Sequence, residues 1–235
     1  STINLCKQLK KDYPKSNFVP VYWMASEDHD FEEISSFRFQ GKSIRWPGKA
    51  AGAVGEMSLE NLQPTLDVFE KQLGGGANAK QIKDMFNQSY RTSNTLSEAT
   101  FRLVNILFGE YGLIIIEPQK SELKALFKPI LKEELSKSSS FIAVTKQIEQ
   151  LKKGLYSNYT PQVNPREINL FYLTQNGRHR IEKIADRFYL NGTEQSFTEV
   201  DFMRLVDQEP ERFSPNVILR PVYQECILPN LCYIG

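Results

Sequence analysis

The sequence predicts an α/β protein, in which a core built on a parallel sheet is interrupted by a helical and β-hairpin insertion. Two continuous apolar segments, residues 18–24 and 111–117, have the composition of strands in a parallel sheet. Between them lie apolar residues at helical spacing and a capping-box spacing from Thr95 to Glu98. Strand, helices and strand in this order are typical of an α/β sheet. We therefore expect both strands to be buried on both faces.

Composition and charge exclude two classes of protein. The 235 residues include 29 Lys and Arg against 28 Asp and Glu, a formal net charge of +1. This balance gives no long-range attraction to phosphate backbones, so we expect no nucleic-acid partner. The apolar runs are far shorter than the roughly 20 residues that span a bilayer, so we expect no membrane protein. Cys6, Cys226 and Cys232 form no C-x-x-C pair, which favours reduced thiols and a cytoplasmic protein.

The predicted core is divided along the chain. We place its first part at residues 1–118, a helical and β-hairpin connecting insertion at 119–213, and a return to the core at 214–235, with buried, aromatic-containing sequence from 217. The chain opens within an amphipathic helix and closes on apolar residues, which we interpret as the ends of a fragment. A hairpin is predicted at Gln40 and Gly41.

The insertion combines helices with a small antiparallel meander. Residues 121–156 are lysine-rich and helical in pattern, and we expect Pro129 and the serine tract at 136–140 to split them into two helices, with the lysines on one solvated face. Residues 168–192 alternate around Asn-Gly pairs, which predicts type I′ turns. His179, with an arginine on each side, is expected on a solvated strand.

The most informative polar segment directly follows the first predicted strand. Glu27, Asp28, His29 and Asp30 are consecutive, and ligands of open α/β sheets bind beyond the carboxyl ends of the strands. Packed together, these groups can act as general acid and base, bind a metal, or hold an ammonium or hydroxyl-rich ligand. A bend must begin here, because Glu27 and Asp28 cannot both face inward on an extended strand. The structural alternative is that Ser26 caps a helix starting near Asp28.

Two further segments carry candidate binding residues. Arg220, Tyr223 and Gln224 combine a guanidinium fork for a carboxylate or phosphate with neutral hydrogen-bonding groups; alternatively, Arg220 pairs with an acid of the core. Ser93 lies in a polar loop that enters the helix capped at Thr95, where the helix N-terminus can bind an anion or merely be capped. The Gly-rich loop at 48–55 lacks the phosphate-binding motifs.

Four segments together are similar to one known family. They are FVPVYWMASEDHDFEEI at 18–34, LFGEYGLIIIEP at 107–118, SPNVILRPVYQE at 214–225 and LPNLCYIG at 228–235. They resemble the cysteine-adding enzymes of bacillithiol biosynthesis, the bacillithiol cysteine ligase family, and the resemblance extends over essentially the whole chain. The family's His-Gln-Pro-Gly type segment would precede Ser1, and Glu117 stands where the family pattern has Asp, so the chain resembles a central fragment that we expect to be inactive alone.

The resemblance implies a fold and a reaction. The expected fold is a Rossmann-like core related to class I nucleotidyltransferases, with connecting insertions and, beyond Gly235, a coiled coil through which the full-length protein forms a homodimer. The expected reaction joins cysteine to the amine of glucosaminyl malate, with ATP or another adenine nucleotide activating the carboxylate. Asp28 and His29 would bind or deprotonate the amine as catalytic residues. Glu27, Asp30, Ser93, Arg220, Tyr223 and Gln224 would bind substrate, and Arg220 and Tyr223 would orient a carboxylate or phosphate.

Two other functions stay open at the level of sequence. A nucleotide- or sugar-phosphate-binding module without catalysis would use the same pocket residues. A metal-dependent hydrolase would use the cluster at 27–30, although no metal site is predicted, since His29 has only adjacent Asp and Glu residues as partners.

Overall fold

The computed structural model describes residues 1–48, 52–154 and 157–234 of the chain. These residues form two compact units, of which the first comprises Ser1–Pro118 together with Ile234 and the second comprises Gln119–Tyr233. Residues 214–233 therefore belong to the second unit. The division of the chain into a first part of the core, an insertion and a return to the core stays a prediction.

The first unit is a mixed α/β unit. Its α-helices are α1 (Thr2–Asp12), α2 (Phe31–Ile34), α3 (Gln63–Leu73), α4 (Ala77–Phe86) and α5 (Leu96–Phe108). Its strands are β1 (Val21–Trp23), β2 (Ser36–Phe39), β3 (Lys42–Arg45) and β4 (Ile114–Ile116). A π-helical segment, Asn87–Arg91, follows α4 directly.

The two predicted sheet strands pair in parallel, as expected. β1 and β4 align with Val21 opposite Ile114 and Trp23 opposite Ile116. The expectation that both faces are buried is wrong, since Tyr22 is 38% and Ile114 is 46% exposed. The reason is that the described residues form only a two-stranded sheet here, so fewer neighbours cover these side chains. The parallel pairing nevertheless brings the carboxyl ends of β1 and β4 to one edge.

The hairpin predicted at Gln40 and Gly41 is confirmed. β2 and β3 pair antiparallel, with Phe39 opposite Lys42. The two loop residues have φ values of 48° and 78°, the left-handed conformation that a type I′ turn needs at both positions. Such a turn matches the twist of the flanking strands, and Gly41 is favoured because glycine readily adopts the positive φ that the turn needs.

The hydrophobic core of the first unit holds the end of the segment that follows β1. Phe31, the first residue of α2, packs edge-on against Trp46, with ring centroids 5.2 Å apart. Both side chains belong to a buried cluster with six further members: Val54, Met57, Leu59, Leu62, Leu66 and Ala99. Because Phe31 is anchored in this core, the four polar residues before it are held between a strand and a buried aromatic ring.

The second unit is built on an antiparallel sheet. Its helices are α6 (Ser121–Lys137), α7 (Ser139–Lys153), α8 (Glu199–Gln208) and α9 (Arg220–Ile227). Its strands are β5 (Leu170–Thr174), β6 (Gly177–Ile184), β7 (Arg187–Leu190), β8 (Ser196–Thr198) and β9 (Phe213–Pro215), in the spatial order β8-β7-β6-β5-β9. The predicted meander is confirmed, and β9 adds an edge strand to it.

Two details of the second unit differ from the predictions. Between β5 and β6 the loop residues are Gln175 and Asn176, and Asn176 does not have the positive φ of a type I′ turn. The expectation that the segment from residue 217 onward is buried is also wrong at the end of that segment, where Leu231 is 74% and Tyr233 is 64% exposed. Gly235 lies outside the described residues.

Aromatic side chains form the core of the second unit. Phe188 of β7 and Phe202 of α8 stack with centroids 4.8 Å apart, and Tyr172 of β5 meets Phe213 edge-on at 5.2 Å. All four side chains are at most 5% exposed. Aromatic pairs in these geometries add to the stability that their buried area provides.

The predicted split of the segment at 121–156 into two helices is confirmed, but the serine tract alone causes the break. α6 continues through Pro129, and the break lies at Ser138, which has a φ of 53°. Phe127 and Leu131, on either side of the proline, are fully buried, and their packing offsets the hydrogen bond that proline removes. Residues 155 and 156 of the predicted segment lie outside the described residues. Among the described helices, none is long and apolar enough to span a lipid bilayer.

The expectation that the lysines of this segment lie on one solvated face is wrong for Lys124 of α6, which is buried. Glu134 of the same helix is buried as well. The Lys124 ammonium donates to the backbone oxygen of Phe213 at 2.6 Å. The Glu134 carboxylate accepts two hydrogen bonds from Ser140, at 2.7 and 2.9 Å, and the backbone N–H of Asn169 at 2.9 Å. Helical periodicity cannot reveal such partners, since Asn169 is 35 positions away.

Replacing Glu134 by alanine is expected to destabilise the second unit by about 3 kcal/mol, because buried donors of Ser140 and Asn169 would lose their acceptor. Urea unfolding followed by far-UV circular dichroism measures the change. The control is Glu149→Ala, which removes an exposed carboxylate of α7 and should change stability by less than about 0.5 kcal/mol. Equal effects of the two substitutions would contradict the structural role of Glu134.

Candidate functional site

A carboxylate joins three elements at the sheet edge of the first unit. Ser26 follows β1, Glu117 follows β4, and Ser97 lies in the first turn of α5. The hydroxyl groups of Ser26 and Ser97 donate to different oxygens of the Glu117 carboxylate. Hydrogen bonds from hydroxyls to a charged acceptor are among the stronger ones in proteins. The ends of both strands and the start of α5 are therefore tied at one point.

The start of α5 is itself held by the predicted capping box, which is confirmed. The Thr95 hydroxyl accepts from the Glu98 N–H at 3.2 Å, and the Glu98 carboxylate accepts from the Asn94 N–H at 3.0 Å. This backbone donor, together with Arg102, holds the pKa of Glu98 below its ordinary value. Since a helix N-terminus carries partial positive charge, α5 presents to Glu117 both the Ser97 hydroxyl and a favourable field.

The segment after β1 makes a tight turn against a second loop. The N–H of Asp28 donates to the carbonyl of Ala25 at 3.1 Å, which confirms the predicted bend. The N–H groups of Val54 and Gly55 then donate to the carbonyls of Asp28 and Ser26, at 2.7 and 2.9 Å. Gly55 permits this approach, because a Cβ atom at this position would lie 2.5 Å from the Cβ of Ser26.

The bend separates the polar side chains of the predicted cluster. Glu27 is 9% exposed, whereas the side chains of Asp28 and His29 are 49% and 55% exposed. The Asp28 carboxylate accepts from the His29 backbone N–H at 2.7 Å and lies 3.3 Å from His29 Nδ1. Asp30 is exposed and precedes α2 without a side-chain capping bond. Asp28 and His29 thus form an accessible acid–imidazole pair.

The capping alternative for Ser26 is wrong. α2 begins at Phe31, and its N-cap position is Asp30. The Ser26 hydroxyl is instead directed to Glu117, which lies 91 positions further along the chain. Glu117 and Ser97 were not among the sequence-predicted site residues. The available signal was that Glu117 directly follows the second strand and so shares an edge with Ser26.

Two segments that were considered as anion or phosphate sites have several of their backbone donors already engaged. At the start of α5, the N–H groups of Leu96 and Glu98 already donate, to Met57 at 3.1 Å and to Thr95 at 3.2 Å. In the described part of the Gly-rich loop, those of Val54 and Gly55 are also engaged; residues 49–51 lie outside the described part. The phosphates of a nucleotide would therefore need donors other than these four backbone groups.

The predicted binding residue Ser93 precedes this helix and is half-buried. Its hydroxyl oxygen is buried and has no hydrogen-bond partner within the described ranges, as is also true of the fully buried Ser89 in the π-helical segment. π-Helical turns are frequent at functional sites. Substrate binding by Ser93 stays a prediction.

The second predicted cluster lies on α9, in the second unit. The Arg220 guanidinium donates to Gln224 Oε1 at 3.0 Å and lies 4.7 Å from the ring centroid of Tyr233. Gln224 in turn donates to the Asn230 side chain at 2.7 Å. Tyr223 is fully buried, with its ring 4.8 Å from that of Phe127. Arg220 and Gln224 therefore form a local polar pair, whereas Tyr223 packs in the interior.

The structure brings the residues of each cluster together within its own unit. Glu27, Asp28, His29 and Asp30 belong to the first unit, and Arg220, Tyr223 and Gln224 to the second. A shared pocket for the two clusters stays a prediction. Among the described residues, no group of three or more His, Cys, Asp and Glu side chains is arranged to hold a metal ion.

Comparison with known proteins gives one consistent result. The family model described as bacillithiol biosynthesis BshC, N-terminal Rossmann-like domain, matches residues 1–235. The protein named "Putative cysteine ligase BshC" of Flavobacterium johnsoniae is 52% identical over 235 residues, covering 100% of this chain and 44% of that protein. Its namesakes from Flavobacterium psychrophilum and Christiangramia forsetii are 50% and 46% identical, with 100% of this chain and 43% and 44% of those proteins covered. The chain thus spans less than half the length of these relatives, and the resemblance to the family is confirmed. The matching model is that of the family's N-terminal domain, which corrects the expectation of a central fragment.

Replacing Gly55 by alanine is expected to destabilise the first unit by about 2 kcal/mol, because the new Cβ would overlap Ser26 and force the two loops apart. Both tryptophans of the chain, Trp23 and Trp46, lie in this unit, so urea unfolding followed by tryptophan fluorescence reports on it. Gly75→Ala is the control, since its Cβ would meet no atom within 4 Å. Wild-type stability of Gly55→Ala would contradict the close approach.

Proposed function

The chain belongs to the bacillithiol biosynthesis BshC family and matches the N-terminal Rossmann-like domain of that family. From this premise we propose that it forms part of an enzyme that joins cysteine to the amine of glucosaminyl malate. The observation that supports the proposal best is the accessible Asp28–His29 pair at the carboxyl edge of the parallel strands. In open α/β sheets this edge is where ligands bind.

Asp28 and His29 are proposed to handle the proton of the attacking amine. An amine attacks a carboxyl carbon only as the neutral base, so the ammonium must first lose a proton. Imidazole is the commonest general base in enzymes, so the His29 side chain is suited to accept it. The Asp28 carboxylate lies 3.3 Å from Nδ1 and would orient the ring for this proton transfer. The adjacent Glu27 and Asp30 would add negative potential that attracts the ammonium group.

Glu117, Ser26 and Ser97 are proposed as positioning residues. They fix the strand ends from which the 27–30 segment departs, and the backbone bonds from Val54 and Gly55 hold the turn itself. A general base must stay within hydrogen-bonding reach of the proton that it removes. Restricting the turn in this way would keep His29 in place without a contact between these three residues and the substrate.

Arg220 and Gln224 are proposed to bind the carboxylate or phosphate of a substrate. Arg220 presents a planar fork of donors that matches such groups, and its bond to Gln224 sets the orientation of the fork. Tyr223 would contribute by anchoring α9 in the interior. Activation of the cysteine carboxylate by an adenine nucleotide, and a homodimer of the full-length protein, complete the proposal and rest on the family resemblance.

Replacing His29 by alanine in the full-length protein is expected to lower the production of bacillithiol at least 100-fold, the usual contribution of a general base. Asp28→Asn should cause a smaller loss, because His29 remains while the carboxylate beside it is removed. The measurement is cellular thiol content in a strain that lacks its own copy of the enzyme.

The matched control is Glu33→Gln, which neutralises an exposed carboxylate of α2 close in sequence to the pair. It should leave thiol levels unchanged. Wild-type thiol levels in His29→Ala would exclude the proposed role. Binding of a nucleotide with no turnover that depends on cysteine and amine would instead favour a binding module without catalysis.

A further inference from the structure

The segment that follows α9, residues 228–233, returns to the side chains of that helix. Gln224 donates through Nε2 to Asn230 Oδ1 at 2.7 Å, and the Arg220 guanidinium lies over the ring of Tyr233, 4.7 Å from its centroid. Tyr233 is mostly exposed, so burial in the core does not account for the place of its ring. Two side chains of this segment therefore reach the pair that is proposed to bind an oxyanion.

Asn230 sets the direction of the hydrogen bonds that lead to Arg220. Its Nδ2 donates to the carbonyl of Leu228 at 3.0 Å, so its Oδ1 faces Gln224. Gln224 then has its own Oε1 to accept from Arg220 Nη1 at 3.0 Å. An amide has one donor end and one acceptor end, so a flip of either amide would set donor against donor and acceptor against acceptor. Asn230 thereby keeps the Gln224 acceptor turned toward the guanidinium.

The Tyr233 ring restrains the same guanidinium in a different way. Attraction of a cation to a ring face is electrostatic and takes up none of its N–H donors. A free arginine side chain has many rotamers, and ordering them opposes binding. A guanidinium held by an amide oxygen and a ring before the ligand arrives has lost part of that freedom already. Its affinity for an oxyanion rises without any further contact to the ligand.

We propose that Asn230 and Tyr233 are positioning residues, which hold the Arg220 guanidinium in one orientation for the carboxylate or phosphate of a substrate. The inference rests on the proposed function, in which Arg220 binds that group. Neither residue needs to touch the substrate, since Asn230 acts through Gln224 and Tyr233 acts through the guanidinium. Removing the ring therefore matters only while Arg220 is present.

The test is a double-mutant cycle in the full-length protein, with cellular bacillithiol content measured in a strain that lacks its own copy of the enzyme. Tyr233→Leu is expected to lower the thiol content about fivefold, because one cation–π contact is lost. Tyr233→Phe keeps the ring and should retain the wild-type content. In an Arg220→Gln background, Tyr233→Leu should cause no further loss, since residues that act through one another are not additive.

The matched control is Leu231→Ala, which shortens an exposed side chain of the same segment and should leave the thiol content unchanged. Wild-type content in Arg220→Gln would contradict the binding role of Arg220 in the proposed function itself. A large loss in Arg220→Gln beside wild-type content in Tyr233→Leu would overturn the positioning role alone. Equal losses in Tyr233→Phe and Tyr233→Leu, or a further loss in the double variant, would overturn it as well.

Discussion

The first unit depends on one partly buried carboxylate. Glu117 receives the hydroxyls of Ser26 and Ser97, and through them the ends of both parallel strands and the first turn of α5 are joined. A carboxylate removed from water is costly unless donors surround it, so Glu117 and its hydroxyl partners constrain one another. Ser26 is further tied by its carbonyl to Gly55, so one residue links strand, helix and loop.

This constraint explains how an accessible acid–imidazole pair can be held in place. The turn at Ala25–Asp28 begins at the anchored Ser26 and leads to Phe31, which is fixed by Trp46 in the core. Between Ser26 and Phe31 only four residues remain, and the carbonyl of one of them, Asp28, accepts from the N–H of Val54. Asp28 and His29 therefore combine exposed side chains with a restrained backbone, which is the arrangement expected of groups that must meet a ligand in a defined position.

Local patterns in the sequence predicted local structure well. The capping box from Thr95 to Glu98 and the hairpin at Gln40 and Gly41 depend on residues within a few positions, and both are confirmed. The hydrogen bond between Ser26 and Glu117 depends on the register of β1 against β4, which no short pattern contains. The same limit applies to Pro129, whose place inside α6 reflects tertiary packing rather than helix propensity.

The buried charges of the second unit fall into two groups that differ in hydrogen bonding. The Glu134 carboxylate accepts hydrogen bonds from Ser140 and Asn169, so its hydrogen bonding is satisfied within the fold. Arg180 has a buried Nε with no acceptor in the described part of the chain, so the fold bears the desolvation of that group without a compensating hydrogen bond. The sequence predicts a solvated strand around Arg180 and a solvated face for the lysines of α6, but it cannot show which polar group finds a partner within the fold. The distinction lies in whether the protein supplies the hydrogen-bond partner, because a buried polar group stabilises the fold only when it has one.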